Sequence, residues 1–184
     1  METPGLDVDA QAAHVAAIRE LIDAAESRGI PLWLESGWAI DARLGSITRP
    51  HEDIDIAFPQ ESAAQYRQLI EELGYGGHEF LDYGFLSWRG GVCLDSEPCH
   101  RIGGQYSFVD FPAGSCPDDK EGTILGFPVR CVSWEAIYFE ILGYIRDIPR
   151  EQWRPKDFAS LRLVEANLDE RVKQELEALY RATT

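Results

Sequence analysis

The stretch from Thr48 to Pro59, TRPHEDIDIAFP, holds two aspartates, Asp53 and Asp55, with a single isoleucine between them. Its alternating acidic and apolar residues predict a β-strand that ends at Pro59. In a strand this spacing points both carboxylates to the same side, where the like charges repel each other. Because Mg²⁺ usually binds through one or two carboxylates plus substrate phosphates, the pair is a natural clamp for a metal–nucleotide complex. A solvent-facing edge of a sheet is the alternative interpretation.

The residues upstream of this pair favour the metal–nucleotide interpretation. IPLWLESG, residues 30–37, predicts a short strand, and WAIDARLG, residues 38–45, predicts a short helix. The small residues Ser36 and Gly37 at the junction allow backbone amides to approach a phosphate, and the helix N-terminus adds partial positive charge. Three possible donors to phosphate oxygens lie between this turn and the aspartates: Arg43, Arg49 and His51. A solvated loop is the alternative for these three.

A third acid follows in GVCLDSEP, where Asp95 comes after the apolar residues Val92 and Leu94. Metal-assisted nucleotidyl transfer needs a further carboxylate, which completes the coordination or deprotonates the attacking hydroxyl. A buried acid without a partner is costly, so an acid embedded in an apolar strand needs a reason to be there. Asp95 is the preferred third acid, with Asp82 and Glu97 as competitors.

The composition limits the partners. There are 17 basic and 32 acidic residues, a formal net charge of −15, which argues against nucleic acid as a ligand. The charge fits a cationic partner, or it simply keeps the protein soluble. No apolar run is long enough to cross a membrane, and METPGLDVDAQ lacks the pattern of a secretory signal, so a cytoplasmic location is expected. The four cysteines have no zinc-site spacing and are expected to be free thiols.

The pattern of helices and strands predicts an α+β fold. Helices are expected at residues 8–28 and 61–73, three strand-like segments follow residue 77, and a hairpin is expected around Gly126. From Ser133, a predicted N-cap, the chain reads as helices only. The predicted division is therefore a mixed-sheet domain over residues 1–132 and a helical domain over residues 133–184.

Residues 30–59, IPLWLESGWAIDARLGSITRPHEDIDIAFP, resemble the aminoglycoside 2''-O-nucleotidyltransferases of the polymerase-β-type nucleotidyltransferase superfamily. The similarity continues in the same order to Leu163 through LDYGFL, LDSEP, GSCP, PVRCVSWEAI and WRPKDFASLRL. Lincosamide nucleotidyltransferases share a looser version with an acid–Gly–Gly–Trp turn. The aminoglycoside family has Gly-Gly-Gly-Trp at this turn, whereas this chain has Glu35-Ser36-Gly37-Trp38. Glu35 is therefore expected to point away from a triphosphate, or towards a cationic substrate.

The resemblance implies an N-terminal nucleotidyltransferase domain with a mixed sheet, a C-terminal helical bundle, and an active site in the cleft between them. It implies Mg²⁺-dependent transfer of AMP from ATP to an aminoglycoside hydroxyl, the 2''-hydroxyl if the match holds in detail. By position, Asp53 and Asp55 match the metal-binding pair, and Asp95 matches the third metal ligand and base. The matched nucleotide contacts are Ser36 and Gly37 in the phosphate turn, with Arg49, His51 and Lys156 at the triphosphate.

The acidity of the chain gains a use in this interpretation, because aminoglycosides are polycations that acidic clefts attract. Glu135, early in the first C-terminal helix, is a candidate ammonium ligand, and its alternative role is to favour the helix dipole. Further candidates for the substrate side are Glu97, Asp82, Glu140, Tyr83 and Trp134. Two alternatives stay open: a nucleotidyltransferase for a lincosamide or other small molecule, and a non-catalytic nucleotide-binding protein of the same fold. A monomer is expected.

Overall fold

The computed structural model describes residues 8–183 and consists of a mixed β-sheet, a separate hairpin and six α-helices within that range. The helices are α1 (Val8–Glu26), α2 (Ser36–Leu44), α3 (Ala63–Glu72), α4 (Trp134–Asp147), α5 (Pro155–Ala166) and α6 (Glu170–Thr183). The strands are β1 (Trp33–Leu34), β2 (Ile54–Pro59), β3 (Gly76–Phe80), β4 (Phe85–Arg89), β5 (Val92–Ile102), β6 (Gln105–Ser107), β7 (Gly122–Ile124) and β8 (Phe127–Val129). The predicted α+β class with a helical C-terminal region is confirmed, and the predicted hairpin around Gly126 is β7–β8. The division at residue 133 stays a prediction.

The central pair of strands sets the position of the acids. The sheet order is β1-β2-β5-β4-β3, with β6 pairing to the far end of β5. Strands β2 and β5 are parallel, and their register places Asp55 directly beside Asp95. Their neighbours Ile54, Ile56 and Leu94 are fully buried on the opposite face. Because side chains alternate between the faces of a strand, packing these three residues into the core directs both carboxylates to the other face.

Helices α1 and α3 cover the apolar face of the sheet, while α2 and the C-terminal helices lie around the acidic face. Helix α1 buries Ile18 and Leu21, and helix α3 buries Leu69 and Ile70, as expected for amphipathic helices. Helix α4 begins at its predicted N-cap, Ser133, whose side chain accepts a hydrogen bond from the Ala136 amide. Among the helices that the structure describes, none combines the length and the apolar character needed to span a bilayer.

Two sequence-based element boundaries are wrong, for identifiable reasons. The predicted strand over residues 30–37 is only two residues long, because Ser36 adopts a positive φ of 47° and turns the chain directly into α2. Helix α2 therefore begins two residues earlier than predicted. The segment from His78 to Trp88 is not one strand but parts of β3 and β4, joined by a turn that ends at Gly84. Gly84 lies so close to the Ser96 carbonyl that a β-carbon there would overlap it.

Candidate active site

Two adjoining cavities open between the acidic face of the sheet and the helices α2, α4 and α5. The first, of about 200 Å³, is called here the acidic cavity, and its polar lining is Glu35, Ser36, Asp55, Tyr83, Asp95, Glu97 and Glu140. The second, of about 260 Å³, is called the mixed cavity, and its lining includes basic and acidic side chains together with His51: Arg49, Glu52, Asp53, Asp55, Glu140, Arg154, Lys156 and Asp157. Ser36, Asp55 and Glu140 line both cavities. The site therefore has two compartments of different charge that meet at Asp55.

The carboxylates where the cavities meet have raised affinity for protons. Burial, and then repulsion from Asp53, raise the pKa of Asp55 well above its ordinary value. Burial also raises the pKa of Asp95, although the Tyr83 hydroxyl donates a hydrogen bond to its Oδ2 at 3.0 Å. The other oxygen of Asp95, Oδ1, is buried without a hydrogen-bond partner among the described residues. Such a cluster of acids is destabilising unless a proton or a cation joins it.

The donor set fits a hard divalent cation. Asp53, Asp55 and Asp95 offer carboxylate oxygens, the ligands that Mg²⁺ prefers, and one of these oxygens is buried and unpaired. Within residues 8–183 no three acidic, histidine or cysteine side chains form a complete ligand set by themselves. This agrees with the usual behaviour of Mg²⁺, which keeps several waters and takes one or two carboxylates together with substrate phosphates.

The turn that begins α2 forms one wall of the mixed cavity. The Glu35 amide donates to the Asp55 carbonyl, and this bond holds the turn beside the acids. A β-carbon on Gly37 would collide with the Arg49 guanidinium and lie 2.8 Å from the His51 ring, so a larger residue here would have to displace both side chains. The first amides of a helix have no partner within the helix, which makes this end of α2 suited to bind an anion.

A buried network of hydrogen bonds and ring stacking around His51 supports the turn that begins α2. His51 Nε2 lies 2.6 Å from Asp41 Oδ2, and Asp41 also accepts bonds from the amide and hydroxyl of Thr48. The His51 ring stacks on Trp38 with 4.2 Å between ring centroids, and the Trp38 indole donates to the Asp53 carbonyl. If Nε2 donates to the Asp41 carboxylate, the other nitrogen, Nδ1, is a donor only when the ring is protonated. His51 thus braces the turn, and the predicted phosphate contact requires its charged form.

Basic side chains gather on the α5 side of the mixed cavity. Lys156 forms an ion pair with Glu52 at 2.6 Å, which bridges the start of α5 and the loop before β2. Arg154, which sequence reasoning missed, lines the same cavity and pairs with Asp157 at 3.0 Å. Its position directly before Pro155, the first residue of α5, was the available signal. Arg43 lies elsewhere, because its guanidinium bonds to the Val132 carbonyl and to Glu121.

The acidic cavity has no basic side chain in its lining, as far as residues 8–183 are concerned. Burial, followed by repulsion from Glu140, raises the pKa of Glu97 to about 7. The pKa values of Glu35 and Glu140 are also raised, chiefly because protein surrounds their carboxyl groups, although Glu140 stays open to solvent through the cavity. Glu35 lines the acidic cavity and is absent from the lining of the mixed cavity, and its direction towards a cationic substrate stays a prediction.

The structure does not bring three of the sequence candidates for the substrate side into the cavities. Glu135 lies in the first turn of α4 and is absent from both linings, a position that suits its helix-dipole alternative. Trp134 is half-buried beneath the Arg43 guanidinium, and Asp82 is exposed on the β3–β4 turn. Glu140, which follows Ala136 by one helical turn, lines both cavities and so has the position on α4 that was expected for Glu135. The helical repeat predicts which residues of α4 share one face, but it does not tell which face of the helix lines the cavities.

The raised pKa of Glu97 predicts a pH-dependent gain in stability when this residue is neutralised. Its charged form opposes folding, so the wild-type protein loses stability as the pH rises from the unfolded pKa of 4.5 towards the folded pKa of about 7. Glu97→Gln is expected to raise the free energy of unfolding by about 1–3 kcal/mol at about pH 8, and by much less at about pH 5.5. Urea denaturation at both pH values measures the difference.

Glu79→Gln, on the exposed part of β3, is the matched control and should show no pH-dependent gain. A Glu97→Gln gain that is equally large at both pH values would contradict the assignment of the effect to ionisation of Glu97.

Comparison with solved structures identifies the fold of the chain. The crystal structure of the lincosamide adenylyltransferase LnuA with bound lincomycin matches with a TM-score of 0.63 over 82% of this chain and 96% of that chain, at 18% identity. At this identity the match shows the fold alone, which is that of a nucleotidyltransferase. The crystal structure of ANT(2'')-Ia in complex with adenylyl-2''-tobramycin matches more closely, with a TM-score of 0.89, 42% identity, and coverage of 92% of this chain and 98% of that chain.

The family follows from the sequence matches. A 2''-aminoglycoside nucleotidyltransferase from Klebsiella pneumoniae is 42% identical over 169 residues, which are 92% of this chain and 96% of that protein. One from Escherichia coli matches with the same identity and coverage. The chain belongs to the aminoglycoside-2''-adenylyltransferase family, whose model matches residues 17–158.

Proposed function

We propose that this protein transfers AMP from ATP to the 2''-hydroxyl of an aminoglycoside and releases pyrophosphate. The observation that carries the proposal is the meeting of two cavities of different charge at Asp55, beside Asp95. The mixed cavity suits a triphosphate, because backbone amides and basic side chains line it. The acidic cavity suits a polycation. The α-phosphorus and the acceptor hydroxyl would then meet at the paired strands β2 and β5.

The acids have distinct roles in this reaction. Asp53 and Asp55 would hold Mg²⁺, with Asp95 as a further ligand. When bound, the ion neutralises phosphate charge and stabilises the pyrophosphate leaving group. Asp95 accepts the proton of the acceptor hydroxyl as the hydroxyl oxygen bonds to the α-phosphorus and the bond to the bridging oxygen breaks. Tyr83 fixes Oδ2 of Asp95, which leaves Oδ1 without a protein partner.

The nucleotide contacts come from two sides of the mixed cavity. On one side, the turn at Ser36 and Gly37 offers the free amides of the α2 N-terminus, and Arg49 lies next to it. On the other side, Lys156 and Arg154 at the start of α5 supply positive charge to the triphosphate.

The acceptor contacts are the carboxylates of the acidic cavity, chiefly Glu97, Glu140 and Glu35. An ammonium group close to these acids favours their charged form and offsets their mutual repulsion. A lincosamide carries far less positive charge than an aminoglycoside, so this cavity favours the aminoglycoside. Tyr83 is half-exposed at the cavity wall, where its ring can pack against a sugar.

Lys156→Ala is expected to raise the KM for ATP by about 10- to 100-fold, because the variant loses a charge-assisted contact to phosphate worth about 1.5–3 kcal/mol. The KM for the aminoglycoside should change much less. Steady-state kinetics with each substrate varied in turn gives both values. Lys120→Ala is the matched control, since Lys120 pairs with Glu26 and lines neither cavity. An unchanged KM for ATP in Lys156→Ala would remove Lys156 from the nucleotide site.

The proposal is tested by incubating the protein with Mg²⁺, ATP and one acceptor at a time from kanamycin, gentamicin, tobramycin and lincomycin. Pyrophosphate release and an adenylylated product are expected with the aminoglycosides and not with lincomycin. Adenylylation of lincomycin alone would favour the lincosamide alternative. A folded protein that modifies none of them would contradict the enzymatic interpretation.

A further inference from the structure

One side-chain hydrogen bond joins two walls of the site. Ser36 Oγ donates to Glu140 Oε1 at 2.9 Å, which connects the first residue of α2 to the middle of α4 across 104 positions of sequence. Both residues line both cavities. The bond therefore lies at the boundary between the proposed nucleotide and acceptor compartments.

The backbone at Ser36 makes the presence of a side chain costly. Its φ of 47° is in the left-handed region, where a residue with a β-carbon is disfavoured by about 1–2 kcal/mol and glycine is not. The aminoglycoside nucleotidyltransferase pattern that residues 30–59 resemble has glycine at this position. A serine in this conformation calls for an interaction that offsets the strain, and the hydrogen bond to Glu140 is such an interaction.

We propose that Ser36 is a positioning residue that orients the Glu140 carboxylate towards the acceptor, an inference that rests on the proposed function. With Oε1 held by Ser36, the Glu140 carboxylate is fixed at the boundary of the acidic cavity, where its second oxygen would be available to an acceptor ammonium. Glu140 is a long and solvent-exposed side chain, so without this bond it would sample several rotamers and lose entropy on binding. The same bond also favours the charged carboxylate, since it opposes the effect of burial on the Glu140 pKa.

Ser36→Gly is the informative variant, because glycine accepts the positive φ and keeps the backbone of the turn while removing the hydroxyl. The expected result is a threefold to tenfold rise, to order of magnitude, in the aminoglycoside KM and in the tobramycin Kd measured by calorimetry without ATP. The KM for ATP should change by much less than the acceptor KM. The Tm should stay equal or rise, which shows that the fold is intact.

Glu140→Ala removes the acceptor of the bond and completes a double-mutant cycle. In the Glu140→Ala background, Ser36→Gly is expected to have no further effect on the tobramycin Kd. Equal effects of Ser36→Gly in both backgrounds would overturn the inference, since Ser36 would then act independently of Glu140. A rise in the KM for ATP alone would overturn it as well.

The calorimetric readout separates this inference from the proposed function. Tobramycin binding without AMP transfer would contradict the proposed reaction, and the cycle of Kd values would still test the Ser36–Glu140 pair. A wild-type protein that does not bind tobramycin would overturn the pair as an acceptor-positioning device.

Discussion

Asp95→Asn is expected to reduce the kcat for AMP transfer to tobramycin by about 10²–10⁴-fold, the range typical for the loss of a general base. Asparagine keeps the size of the side chain and the possibility of a bond to Tyr83, but it cannot accept the hydroxyl proton. The Asp95 carboxylate lies directly beside Asp55 on the paired strands, where the acceptor hydroxyl and the α-phosphorus would meet. Single-turnover kinetics measures the chemical step directly and separates it from product release.

Asp82→Asn is the matched control for this prediction. Asp82 was a competitor for the third acid on sequence grounds, but it is exposed on the β3–β4 turn and lines neither cavity. Its variant should keep the wild-type kcat. A loss in Asp82→Asn comparable to that in Asp95→Asn would contradict the assignment of the base, as would a fully active Asp95→Asn.

Asp55→Asn is expected to abolish measurable transfer and at the same time to stabilise the ligand-free protein. Asp55 is, with Glu140, one of two acids that line both cavities, and its loss removes a carboxylate from the proposed Mg²⁺ site. Folding raises its pKa from 3.8, so its ionisation destabilises the fold as the pH rises above that value. The neutral variant should therefore have a higher Tm at about pH 8, and the gain should fall away as the pH approaches 3.8.

Asp41→Asn is the matched buried control, because Asp41 is fully buried but accepts hydrogen bonds from Thr48 and lies 2.6 Å from His51 Nε2. Its neutralisation breaks a satisfied network and should lower the Tm. Calorimetric melts and transfer assays on both variants give the comparison. If Asp55→Asn lowers the Tm as Asp41→Asn does, the claim that the charged Asp55 carboxylate destabilises the ligand-free protein is contradicted.

The local pattern around residues 48–59 predicted the central features of the site because those features depend on short spacing. An aspartate on either side of Ile54 puts two carboxylates near one another in any strand, and the small-residue turn before them requires only a strand followed by a helix. Asp95 was found by analogy, as an acid after an apolar residue in a strand. Its place directly beside Asp55 depends on parallel pairing between β2 and β5, which no local spacing specifies.

Features that depend on tertiary packing were not predictable from spacing alone. Glu140 and Glu135 are both acids of α4, and the one that faces the cavity is decided by how α4 packs against α2. In the sequence Arg154 belongs to a polar connector between helices, and only the packing of α5 places it in the lining of the mixed cavity. His51 was predicted as a phosphate contact, which stays a prediction, and its stacking on Trp38 and contact with Asp41 add a bracing role that depends on how the loop before β2 packs against α2.

The most direct test of the account follows the α-phosphate. The protein is incubated with Mg²⁺, tobramycin and ATP that carries an isotopic label at the α-phosphorus, and the tobramycin product is isolated and its modified hydroxyl assigned by NMR. The α-label is expected on tobramycin at the 2''-hydroxyl with release of pyrophosphate, and Asp95→Asn is expected to lack this product. Transfer of a γ-label instead, or an α-label that stays with the nucleotide while tobramycin is unmodified, would contradict it.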